Sequence, residues 1–125
     1  MKLKLDGFDE LRKKLGDFKA LDVLTPPMQD AMIRLEGRMK QYPPQRPTKY
    51  IRTGVLGKRW VTKVERQGGR LVGSVGNNTT YAPFVQSAMF QAKIHQGRWQ
   101  TDQIVMDEEQ AAIIRDFERA IAEAL

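Results

Sequence analysis

The sequence predicts an α+β fold: a small antiparallel sheet, with N-terminal helices and a long C-terminal helix packed on it. Three patterns carry that prediction. Apolar residues recur at helical spacing in three windows, a central stretch alternates around a Gly-Gly turn, and the chain closes on an unbroken apolar stripe. At 125 residues with 41% hydrophobic content, residues 1–125 fit one globular domain rather than a disordered chain.

The first window runs from Asp6 to about Leu21. Phe8, Leu11, Leu15 and Phe18 fall on one helical stripe, and Asp6 is placed to cap it. A second helix is expected after Thr25, because Thr at the cap and Pro26 at the first helical position form a start signal. Its stripe is Met28, Met32, Leu35 and Met39. Residues 42–54 then break the periodicity. Tyr42-Pro43-Pro44-Gln45-Arg46-Pro47 cannot lie inside a helix, since proline lacks the amide hydrogen and clashes one turn back. With Arg46, Lys49 and Arg52, this reads as a basic, Pro-rich loop within the domain.

Thr53-Gly54 precedes the apolar Val55-Leu56 and marks a turn feeding a strand. From Trp60 to Glu65 the residues alternate, with Trp60, Thr62 and Val64 on one face. Gln67-Gly68-Gly69 supplies a hairpin turn, and Leu71, Gly73 and Val75 return along the same face. Two strands alone are marginal, so a third is expected from Met1–Leu5 or from Gln103–Met106. Tyr81 to Phe90 suits a short helix with Pro83 in its first turn. In the closing helix, Asp107 and Gln110 have capping-box spacing, and Ile113, Phe117, Ile121 and Leu125 form the stripe. Residues 107–125 would make a rod of roughly 28 Å at about 1.5 Å per residue.

Charge is distributed unevenly. Residues 1–39 balance at +1, residues 40–100 hold eleven Lys/Arg against the single acid Glu65, and residues 101–125 balance at −5. A basic block of this kind suits DNA phosphates. Complementary basic and acidic ends also suit head-to-tail association of copies into a ring. A solvated basic surface with no partner is the plain alternative.

The chemistry available is narrow. There is no cysteine, which excludes disulfides and thiolate chemistry and fits a reducing cytoplasm. His95 is the single histidine, so one chain cannot build a two-histidine metal site. Its neighbour at helical spacing is Trp99, an arrangement that reads as packing. Acid–base cleavage of RNA by His95 with Lys93 and Arg98 would need a second titrating group that the sequence does not offer. No phosphate-binding loop, nucleophile elbow or calcium loop is present. No enzyme, cofactor or metal is expected. With no apolar run of about 18 residues, no membrane span is expected, and Asp6 comes too early for a signal-peptide core.

Two phrases narrow the function further: Arg52-Thr53-Gly54-Val55-Leu56, and Val75-Gly76 leading to Tyr81-Ala82-Pro83-Phe84-Val85-Gln86. In their order, around a hairpin in a small basic domain, they resemble the tail-component family of tailed bacteriophages, which complete the tail or join it to the head. The family pattern is a Thr-Gly-x-Leu turn, a hairpin, then Tyr-Ala-x-aromatic-Val. Thr53, Gly54, Leu56, Tyr81, Ala82, Phe84 and Val85 match it. The resemblance covers most of the chain, but Gln86-Ser87-Ala88-Met89 stands where members often carry an acid and Gly-Thr.

What the resemblance implies is a structural virion protein of a phage or prophage neck. It would be made in the bacterial cytoplasm and form a ring of copies, six to match a tail tube, on which other neck and tail proteins dock. Arg46, Lys49, Arg52, Lys58 and Arg59 are the candidates to face those partners or, loosely, the genomic DNA. The rival class is a free-standing nucleic-acid-binding protein of a mobile element, with Tyr50, Trp60, Tyr81 and Trp99 stacking on bases. Against it, no helix-turn-helix or basic recognition helix is discernible.

Overall fold

A computed structural model of the chain describes residues 1–5, 7–44 and 55–125. In chain order its elements are β1 (Lys2–Leu5), α1 (Asp9–Leu15), α2 (Asp17–Met39), α3 (Val55–Lys58), β2 (Trp60–Gln67), β3 (Arg70–Asn77), α4 (Ala82–Gln86), a 3-10 turn (Lys93–His95) and α5 (Asp102–Ala124). The strands form one sheet in the order β1-β3-β2, antiparallel throughout. The predicted α+β class therefore holds.

β2 and β3 pair from Trp60 opposite Asn77 to Gln67 opposite Arg70. Gly68 takes φ +56° in the turn between them, the left-handed conformation that favours glycine. The third strand is the N-terminal one: Leu3 lies opposite Gly73 and Leu5 opposite Leu71. Its alternate residues Lys2 and Lys4 are exposed. The α-ammonium of Met1 extends the ladder by donating to the Val75 carbonyl at 2.8 Å. Gln103–Met106, the other strand candidate, belongs to α5 instead, where Val105 is fully buried.

Leu71 and Val75 of the central strand meet the stripe of α2, whose Leu24, Met28, Met32 and Leu35 are all buried. At Gly73 the helix comes so close that a Cβ would lie 2.6 Å from the Met28 sulfur and 2.7 Å from that of Met32. Both thioethers thus pack directly on backbone, a use to which methionine's unbranched chain is suited.

The N-terminal helices are divided differently from the sequence expectation. α1 stops at Gly16, where φ of +85° turns the chain, and α2 begins at once. Phe18 falls beyond that break and is 78% exposed, with the Arg66 guanidinium 5.6 Å from its ring centroid. The expected cap, Asp6, lies outside the described residues; Phe8 occupies the N-cap and makes no side-chain cap bond. Thr25 and Pro26 do not start a helix. Pro26 and Pro27 lie inside α2, and the Thr25 hydroxyl donates to the Leu21 carbonyl at 2.7 Å. Burial of Leu21 and Leu24 before the prolines, and of Met28 after them, outweighs the local cost of interrupting the ladder.

α5 begins five residues before the expected Asp107. Thr101 is its N-cap, accepting from the Ile104 amide at 3.3 Å. The helix reaches the sheet through α2: its contacts are chiefly with α2, which covers the strands. Asp107, Glu108 and Glu109 therefore sit in the second turn, and two of them serve the helix pair. Arg38 of α2 donates to Glu108, Glu109 and the Gln100 side chain, while Arg34 reaches Glu109 at 3.2 Å and Asp116 at 3.7 Å.

These bonds, with Arg38 foremost, hold the Glu109 carboxyl below the usual carboxylate range. A depressed folded pKa stabilises above the unfolded value of about 4.3 and loses that contribution as pH falls through the folded pKa. The thermal midpoint should therefore stay flat from neutrality to about pH 5 and drop below about pH 4. Glu109→Gln, followed by circular dichroism, should start lower and show a shallower acid drop.

Candidate functional site

Tyr42 and Trp60 join the two stems of the basic segment. The Trp60 indole donates to the Tyr42 hydroxyl at 2.7 Å, and the Tyr42 ring lies 5.1 Å from that of Trp99. His95 meets Trp99 edge-on at 6.0 Å, so these two residues pack together as their spacing predicts. Burial, offset in part by the Trp60 bond, pushes the Tyr42 phenol up and keeps it neutral. On the outgoing stem, Asn77 donates to the Leu56 carbonyl at 2.7 Å. A Cβ on Gly57 would touch the Tyr42 ring at 3.6 Å, so the stems meet.

Beyond these stems, Arg46, Lys49, Arg52, Thr53 and Gly54 lie outside the described residues, as does Tyr50. The apolar phrase after Thr53-Gly54 enters β2 through the single helical turn of α3 rather than directly. Lys58 and Arg59, next to that turn, are exposed. Among the described members of the basic block, Lys40, Lys63 and Arg66 are held in ion pairs with Glu36, Glu65 and Asp22.

The Tyr-Ala phrase forms α4, shorter than the expected Tyr81–Phe90 helix. Val85 and Leu56 point inward, whereas Tyr81 and Phe84 are exposed. Buried Gln86 donates to the carbonyls of Met39 and Gln100, tying α4 to the end of α2 and the approach to α5. Gln91 donates to the Val85 and Trp99 carbonyls, and Asp102 accepts from the Ala88 amide. The segment from Phe84 onward is thus pinned by its polar groups, while its apolar side chains face solvent: Phe84 is 57%, Met89 82% and Phe90 59% exposed, with Ile94 and Ile104 nearby in sequence.

The resemblance pointed to the segment after Val85 as a contact element, but the outward-facing Phe84, Met89 and Phe90 were not read from the sequence. Exposed aromatic and Met side chains at such density mark binding surfaces more than ordinary protein exterior. Of the aromatics proposed for base stacking, Trp60 and Trp99 are half-buried around Tyr42, whereas Tyr81 is exposed. The acidic C-terminal end is less available than its net charge suggested, since Glu108, Glu109 and Asp116 pair within the chain.

No group of three His, Asp or Glu side chains among the described residues is arranged to hold a metal ion. No helix among them is long and apolar enough to cross a membrane. The chain matches no protein-family model, no curated protein and no solved structure.

Proposed function

We propose that the chain is a structural virion protein of a tailed phage or prophage, which completes the tail or joins it to the head as one member of a ring. The observation that carries this reading is the pairing of two interaction elements on one frame. The residues flanking the basic 45–54 stretch are tied together through Tyr42, Trp60 and Asn77, and a braced segment of the same frame exposes Phe84, Met89 and Phe90. The order of the Thr-Gly and Tyr-Ala phrases, which resembles the tail-component pattern, supports it as well.

On this reading the function is geometric. The sheet, α2 and α5 form the body; the basic segment contacts neighbouring copies or passing DNA, and the apolar segment meets an adjacent neck or tail protein. Arg46→Ala with Arg52→Ala should impair joining without changing the unfolding midpoint, because the Pro-rich sequence around them reads as loop. Complementation of a gene deletion, scored by infectious titre, checks this. Full titre from the double variant would reduce the basic segment to a tether.

A further inference from the structure

The two faces of the sheet differ in character. Leu71, Gly73 and Val75 look onto α2, with Leu3, Leu5 and Val64 beside them. Alternation along each strand turns the neighbouring residues the other way. On that second face Lys2, Lys4, Val61, Lys63 and Gly76 are all exposed.

This face is low along its centre and basic along its edges. The middle strand contributes only Val72, Ser74 and Gly76 to it. Lys2 stands opposite Ser74 from one side and Lys63 from the other, two strand spacings or about 10 Å apart. Lys4 lies opposite Val72, about 7 Å along β1 from Lys2. The Arg59 carbonyl accepts from the Asn78 amide at 3.0 Å, which extends the β2–β3 ladder by one pair and gives exposed Arg59 the parity of Val61 and Lys63.

Lys63 is paired with Glu65, the single acid that the register places on this face among the described residues. Lys2, Lys4 and Arg59 are the cations that this acid leaves over. Glu65 itself senses the excess: its bond from Lys63 foremost, then that from Gln67, with Lys2 adding its charge, holds the carboxyl below the usual range.

Composition selects the partner. Protein interfaces draw on aromatic and Met side chains and are poor in Lys, which describes the Phe84–Phe90 surface and not this one. Lys and Arg side chains suit phosphates, whose counterions are released on contact. The register puts no aromatic side chain here to stack on unpaired bases, which favours a duplex. We propose that this face of the sheet binds the phosphate backbone of duplex nucleic acid without reading its sequence, through Lys2, Lys4 and Arg59. The inference adds to the virion reading without depending on it, because joining through Phe84 and Phe90 needs no nucleic acid.

Fluorescence anisotropy of a labelled DNA duplex, titrated with the purified chain from about 50 to 200 mM salt, tests it. Each phosphate contact on a duplex contributes about 0.9 to the slope of log affinity against log salt, so three lost contacts flatten it by about 2.7. Lys2→Gln with Lys4→Gln and Arg59→Gln should show that change. Lys13→Gln with Lys19→Gln and Arg115→Gln removes the same charge from exposed helix positions and should flatten the slope by less than about 1. Val61→Lys, which adds a cation at an exposed position of the same face, should steepen it by about 0.9.

Equal flattening by the two triple variants overturns the proposal, since net charge alone would then govern binding. No binding by the native chain at about 50 mM salt overturns it as well. So does tighter binding of poly-glutamate than of the duplex at equal charge, which would make the face a site for an acidic protein. Each of these results leaves the virion reading standing.

Discussion

Gly73→Val is expected to destabilise the chain by about 1–3 kcal/mol, toward the upper end of that range, through overpacking alone. The position is central in the middle strand, and α2 lies directly over it. A Cβ would stand 2.6 Å from the Met28 sulfur, 2.7 Å from the Met32 sulfur and 2.8 Å from the Met32 methyl. Flexible thioethers can yield to one added carbon, so Gly73→Ala should cost less. Valine adds two further methyl groups beneath the same helix and leaves them no such room. Shortening a blocking side chain should recover part of the loss: Gly73→Val with Met28→Ala should be less unstable than the two single effects added together. Urea unfolding of the four proteins measures both the cost and the coupling. A Gly73→Val midpoint equal to the native one would mean that α2 does not sit on the strand as described.

Phe84→Asp with Phe90→Asp should have the opposite profile, leaving the fold intact and removing its partner. Both side chains are more than half exposed, so replacing them forfeits little burial. The segment beneath them stays braced by Gln86, Gln91 and Asp102. At a docked interface, buried aromatic anchors are worth about 2 kcal/mol or more each, and two would carry about a thousandfold in affinity. The double variant should unfold within a degree or two of the native chain yet fail to restore infectious titre to a deletion. A variant that restores titre fully would remove this surface from the joining step.

Much of the frame was legible because it rests on short-range periodicity. The Gly68-Gly69 turn, the alternation from Trp60 to Val75 and the Met28–Met39 stripe are each set by local geometry, and all appear as expected. The misplacements arose where distant packing overrode a local signal. Thr25-Pro26 has the chemistry of a helix start, but buried apolar residues on both sides carry α2 through it. The acids at 107–109 suggested a first turn, whereas Glu108 and Glu109 answer Arg38 on another helix. The true start at Thr101 is hidden because Ile104, rather than Glu or Gln, stands three residues later.

The candidate site was less legible for a similar reason. Tyr42 and Trp60 are 18 residues apart and meet only in the folded chain, so no local pattern announces their bond. Phe84 matched the Tyr-Ala phrase in sequence, but its outward face follows from Val85 and Gln86 of α4 being the buried residues.

The central claim is that the chain acts in the neck of a tailed particle. Deleting its gene and imaging the lysate by negative-stain electron microscopy tests that most directly. Filled heads and full-length tails lying unjoined are the expected result. Intact, infectious virions from the deletion would contradict it and return the nucleic-acid-binding reading to first place.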